Sequence, residues 1–136
     1  FLSNSESETL NFASKFAKTL VEGDIVLLDG DLGAGKTVFT KGVVSALSNG
    51  KSIAVSPTFV IVNVYDTVPV INHFDLYRIE SVDELFNIGV EEYFYGSGIC
   101  FIEWPERASE LFVGLHKKVT IKKEGEQKRI ILIEEN

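Results

Sequence analysis

The sequence predicts an α/β fold: one three-layer domain around a mixed sheet, parallel in its centre and antiparallel at one edge and in a C-terminal hairpin. Three observations predict it. Short apolar runs alternate with segments of helical period along the chain. The most uniformly apolar run, Asp24-Ile25-Val26-Leu27-Leu28-Asp29, opens into a glycine-rich turn and then a helical pattern, the βα order of a central parallel strand. The last apolar runs instead alternate with charged residues about Gly125, which predicts an antiparallel hairpin with one wet face.

The elements follow in order. Ser5-Glu6-Ser7-Glu8 has the form of a capping box, and Leu10, Ala13, Phe16, Ala17 and Leu20 recur at helical spacing, predicting a helix from about Glu6 to Leu20. Asp24 to Asp29 is a strand buried on both faces, Gly30 to Lys36 a loop, and Thr37 to Leu47 a helix ending near Ser48-Asn49-Gly50. Val60–Tyr65 and Val70–Asp75, joined by Asp66-Thr67-Val68-Pro69, read as an antiparallel pair. Ser81 to Gly89 begins with a second capping box and ends on glycine, predicting a short helix. Ile99 to Ile102 is another buried strand, Pro105 to Leu115 can hold a helix with proline in its first turn, and Lys117–Lys123 pairs with Lys128–Glu134.

No repeat, linker or low-complexity tract divides the 136 residues, so residues 1–136 are expected to form a single domain. Apolar residues at 45% and charged residues at 24% are those of a globular protein rather than a disordered one. The formal net charge of −7 argues against a direct, nonspecific grip on nucleic acid. Lys117, Lys118, Lys122, Lys123, Lys128 and Arg129 are interleaved with Glu124 and Glu126 and read as a solvated face. The sole cysteine, Cys100, lies in an apolar run and is expected to be a buried thiol. No apolar stretch is long enough for a membrane span, and the first residues lack the basic start of a signal peptide, so a cytoplasmic location is expected.

Gly30-Asp31-Leu32-Gly33-Ala34-Gly35-Lys36-Thr37 matches the P-loop pattern G-x-x-x-x-G-K-[ST] in full, with the required strand before it and helix after it. The expectation is a nucleoside triphosphate with Mg²⁺. Glycines permit close backbone approach, so amides from Gly33 through Val38 can turn onto phosphate oxygens at a helix N-terminus. Lys36 would reach the β- and γ-phosphates and the Thr37 hydroxyl would take one Mg²⁺ position. Such a site needs a carboxylate at the end of a neighbouring strand. Glu103 ends the more apolar run and suits the nearer strand, so it is assigned to Mg²⁺, with Asp75 positioning water or acting as base; the exchanged roles stay open. Thr58, in Ser56-Pro57-Thr58-Phe59, could close over the γ-phosphate. His73 is expected to be a hydrogen-bonded core histidine. Tyr77-Arg78 and Arg107 could bring a cation to the transition state.

These motifs, with His73-Phe74-Asp75-Leu76-Tyr77-Arg78 and Ile102-Glu103-Trp104-Pro105-Glu106, resemble in order and separation the TsaE/YjeE family of P-loop ATPases, which act in bacterial threonylcarbamoyladenosine biosynthesis on tRNA. The resemblance implies a compact P-loop NTPase-like domain with Lys36 on phosphates, Thr37 and Glu103 at Mg²⁺ and Asp75 at the hydrolytic centre. It also implies weak ATP hydrolysis stimulated by TsaD and TsaB, the tRNA being met only indirectly, with TsaC supplying threonylcarbamoyl-adenylate. Glu6, Arg107 and Arg129 would border the base and sugar, and Trp104 would contact or report on the nucleotide site. Two other readings compete. A small-molecule kinase needs an acceptor pocket and lid for which little chain remains after the P-loop, and a GTPase needs an Asn-Lys-x-Asp element that the sequence lacks.

Overall fold

The computed structural model describes residues 1–31, 33–48, 61–114 and 116–135. Among these, one 7-stranded sheet runs in the order β1-β7-β6-β2-β5-β4-β3. Its strands are β1 (Leu2–Ser3), β2 (Ile25–Asp29), β3 (Val62–Tyr65), β4 (Ile71–Asp75), β5 (Ile99–Glu103), β6 (Lys117–Lys123) and β7 (Arg129–Glu135). The pairs β6–β2, β2–β5 and β5–β4 are parallel, whereas β3–β4, β6–β7 and β1–β7 are antiparallel. The predicted mixed sheet is therefore present, and β5 lies next to the P-loop strand β2 as its apolar composition predicted.

Side-chain alternation splits each central strand between two cores. Val26, Leu28, Ile71, Ile99 and Phe101 face α1 (Glu6–Ala17) and α2 (Lys36–Ser48), packing with Ala13, Phe16, Phe39, Val43 and Val44. Leu27, Phe74, Cys100 and Ile102 face the other way, onto Leu76, Leu85, Val90 and Phe112. Phe39, Phe74 and Phe101 are fully buried, each contributing about 1.5–3 kcal/mol. The two helices sit so close that a Cβ on Gly42 would stand 2.7 Å from that of Ala13. Burial pushes the Cys100 thiol up to about 11.

Of the first capping box the N-cap half is present: Ser5 is the N-cap of α1 and its hydroxyl accepts from the Glu8 amide at 3.1 Å. Of the second the opposite half is present. Glu84 accepts from the Ser81 amide, but Val82 occupies the N-cap position of α3 (Asp83–Asn87). The predicted helix to Gly89 is also shorter than expected, and an unpredicted α4 (Val90–Phe94) follows it, because Gly89 turns into the left-handed region at φ 77° and restarts the chain. The segment after Pro105 is a 3₁₀-helix to Leu111 rather than a longer helix, broken at Ala108, whose φ of −145° is not helical. The edge strand β1 was not expected; it pairs Leu2 with Ile130 and Ser3 with Arg129. Of the basic run, Lys117 pairs with Asp24 at 3.3 Å and Lys118 with Asp29 at 3.8 Å. Among the described residues no helix is long and apolar enough to cross a membrane. Asn49, Gly50, Val60 and Leu115, at the edges of predicted elements, lie outside the described residues.

Candidate active site

β2 delivers the chain into the P-loop at Gly30, where a side chain would collide with the sheet: a Cβ there would lie 2.7 Å from the Ile121 carbonyl oxygen. Gly33 and Gly35 take φ of 78° and 110°, conformations that L side chains avoid, and between them the Ala34 amide donates to the Asp31 carbonyl at 3.0 Å. α2 then starts at Lys36, with the Phe39 amide donating to the Gly35 carbonyl at 3.0 Å. The loop thus joins a glycine-bent backbone to the positive end of a 13-residue helix.

Lys36 is buried, and its ammonium lies 4.1 Å from the centre of the Trp104 ring. Among the described residues it forms no salt bridge; the Trp104 ring face and, at longer range, the Asp75 carboxylate act on its charge. Trp104 follows β5 at φ 58°, the sole non-glycine residue with positive φ among those described. It packs on Tyr77 at 4.9 Å, and the Arg107 guanidinium covers the outer face of Tyr77 at 5.5 Å.

Two carboxylates end adjacent parallel strands. Asp75 and Glu103 are direct partners in the β4–β5 register, both on the face that α2 covers. Glu103 is buried, and its Oε2 lies 2.7 Å from Nε2 of the fully buried His73. The Tyr65 hydroxyl lies 3.4 Å from the other ring nitrogen, Nδ1. The core-histidine expectation therefore holds. Asp75 accepts from the Tyr77 amide at 3.0 Å. Its pKa is raised, first by burial; the Tyr77 hydrogen bond opposes this, the Glu103 charge adds to it, and His73 and Lys36 pull it back.

On the far side of the loop, Arg129 donates from Nε to the Ala34 carbonyl at 2.8 Å, and from Nη1 to the carbonyls of Gly125, Glu126 and Lys128. Together with Glu6, Thr9, Gly35, Val38 and Gln127 it lines a pocket of about 120 Å³. The fold thus gathers Glu6, Val38 and Arg129, distant in sequence, beside the P-loop. Arg107 is not among that pocket's lining; it stands with Tyr77 and Trp104. Thr58 and the rest of Ser56-Pro57-Thr58-Phe59 lie outside the described residues.

The oxygen donors present suit a divalent cation held only in part by the protein. No group of three or more His, Cys, Asp or Glu side chains converges among the described residues, which is the arrangement an all-protein cage would need. Thr37 and one strand-end carboxylate offer hard oxygen donors, the partial set that suits Mg²⁺ shared with phosphate oxygens. Sequence reasoning missed Tyr65 as partner of His73, since nothing local connects residues across the β3–β4 pair, and missed the backbone of Trp104.

Residues 3–131 match the family described as threonylcarbamoyl adenosine biosynthesis protein TsaE. The chain is 41% identical over 132 residues to the tRNA threonylcarbamoyladenosine biosynthesis protein TsaE of Rickettsia typhi, covering 96% of this chain and 90% of that one. It is also 41% identical over 125 residues to the protein of the same name from Bacillus subtilis, covering 91% and 77%. The crystal structure of Bacillus subtilis YdiB superposes with a TM-score of 0.78 at 33% identity, covering 98% of this chain and 82% of that one. A fold and a sequence that agree over nearly the whole length lead to one assignment: the chain belongs to the TsaE family.

Proposed function

We propose that the chain is a Mg²⁺-dependent P-loop ATPase that supports N6-threonylcarbamoyladenosine modification of tRNA through the partner subunits TsaD and TsaB. The observation that carries this reading is the meeting of Lys36, at the start of α2, with Asp75 and Glu103 at the paired ends of β4 and β5, beside the glycine-rich loop that follows β2. The relatives named for tRNA threonylcarbamoyladenosine biosynthesis support the pathway.

In this reading the amides of Gly33 to Thr37 hold the phosphates, and Lys36 leaves the Trp104 ring to meet the β- and γ-oxygens. Thr37 and Glu103 would hold Mg²⁺, which neutralises charge on those oxygens when bound. Asp75 positions water and takes its proton; its raised pKa brings it closer to the neutral range in which a general base works best. Glu6, Val38 and Arg129 border the base and sugar, and Arg107 lends a cation through the Tyr77 side. The acidic chain leaves RNA binding to its partners, and a modified tRNA as product implies the cytoplasm.

The test is phosphate release from ATP by the purified chain, alone and with TsaD and TsaB. Low release alone and strong stimulation by the pair is the expected result. No stimulation, with transfer of the γ-phosphate to a metabolite, would replace this reading with that of a small-molecule kinase.

A further inference from the structure

His73 has no role in the chemistry above, yet it is a fully buried imidazole in a part of the sheet otherwise filled by Ile71, Ile99 and Phe101. A hydrophobic residue would fill that volume without polar groups to satisfy. What the imidazole adds is direction. His73 stands opposite Phe101 in the parallel register, and its ring reaches diagonally to Glu103, two residues further along β5. A carboxylate oxygen only accepts, so at 2.7 Å the hydrogen between them sits on Nε2. No buried side-chain polar atom among the described residues lacks a partner, and on Nδ1 that partner is the Tyr65 hydroxyl. Donation by Tyr65 to Nδ1 and by Nε2 to Glu103 is an arrangement of the neutral ring in which all three groups are used.

Building on the ATPase reading, we infer that His73 is a positioning residue for the cation: held by Tyr65 as the Nε2–H tautomer, it pins Oε2 of Glu103 and leaves Oε1 as the oxygen that takes Mg²⁺. The inference also separates the two strand-end carboxylates. Asp75 is held by a backbone amide at a half-buried position, whereas Glu103 is held from behind by a side-chain relay, the pattern by which an outer donor orients a metal-binding oxygen. Carboxylate orientation matters for Mg²⁺ because that ion demands near-ideal octahedral geometry.

The test exploits the lengths of two amides. The Gln side-chain nitrogen falls near the position of Nε2 of histidine, that of Asn near Nδ1. ATP affinity is measured calorimetrically in excess Mg²⁺ and in EDTA for the full chain and for His73→Gln, His73→Asn and Tyr65→Phe. His73→Asn is expected to lose about 10–100-fold of the gain that Mg²⁺ confers, with affinity in EDTA unchanged, and His73→Gln to recover most of it. Tyr65→Phe, which leaves the ring in place, should fall between them. Equal Mg²⁺ gains in the Asn and Gln variants would overturn the inference, as would equal losses in both buffers, the mark of a merely structural role. A second readout needs no nucleotide: ¹⁵N shifts of the His73 ring should show a protonated Nε2 and an unprotonated Nδ1. The Nδ1–H tautomer overturns the inference even if the chain proves to bind MgATP, whereas absence of ATP binding in both buffers overturns the ATPase reading itself.

Discussion

The imidazole of His73 meets the carboxylate of Glu103 at 2.7 Å between β4 and β5, with side-chain exposures of 0% and 6%. A pair this buried responds differently to loss of charge and loss of an acceptor. Glu103→Gln keeps an oxygen for Nε2–H and should keep the fold. Glu103→Leu strands a ring nitrogen and should lower stability by about 1–3 kcal/mol in urea denaturation.

Lys36 and Trp104 supply an optical reporter. Withdrawal of the ammonium from the ring on ATP binding should change the emission of Trp104, the chain's single tryptophan. Lys36→Ala should show altered emission without ATP and no response to it, with binding lost by calorimetry.

Asp75→Ala should retain MgATP binding and lose about 10²–10⁴-fold in hydrolysis. Should it instead lose Mg²⁺-dependent affinity while Glu103→Ala keeps it, the two carboxylates exchange roles.

The raised pKa of Asp75 also has a stability consequence in the unliganded chain. A carboxyl whose folded pKa exceeds its unfolded value stabilises fully below the unfolded value, near pH 4, and that contribution is lost as pH rises through the folded value. Asp75→Asn cannot ionise, so its melting temperature should gain on wild type as pH rises from 4 to 7. A gap that narrows over that range contradicts the sign.

Arg129 joins the P-loop carbonyl of Ala34 to the pocket containing Glu6 and Val38. Arg129→Ala should weaken ATP binding by about tenfold, the loss of roughly 1.4 kcal/mol, while binding of inorganic triphosphate changes little. Equal weakening of both would move its role from base and sugar to the loop itself.

Gly42→Ala tests the scaffold alone. Its new methyl would meet the Ala13 Cβ at 2.7 Å and the Leu10 carbonyl at 2.9 Å, forcing α1 from α2 at a cost of about 1–3 kcal/mol in denaturant titration.

The central frame was legible because its determinants are local. Apolar runs marked β2 and β5 as neighbours, Ser5 and Glu8 marked the start of α1, and the P-loop announced itself by spacing. What escaped depends on partners far along the chain. The two residues of β1 carry no periodicity and become a strand only because β7 offers an edge. Ser81 and Glu84 fitted a capping box, but Glu84 took backbone amides at Glu80 and Ser81 while Val82 took the cap. The helical reading after Pro105 had no local sign of the break at Ala108. Among the candidate site residues, Lys36 could be placed by the loop spacing, and Asp75 and Glu103 by strand ends. The approach of Arg129 to Ala34 could not, because it arises from β6 inserting beside β2 and carrying β7 with it.

That insertion has a consequence for how the molecule comes into being. β2 is the strand that launches the P-loop, and its two neighbours, β5 and β6, are both made long after it. During synthesis, residues 30–37 emerge with neither wall of their cradle, and the Ile121 carbonyl that crowds Gly30 arrives only with β6. Parallel pairings between such distant segments are slow to nucleate. The nascent chain should therefore be unable to capture nucleotide until its C-terminal hairpin has docked, so that competence to bind and completion of the sheet are a single event.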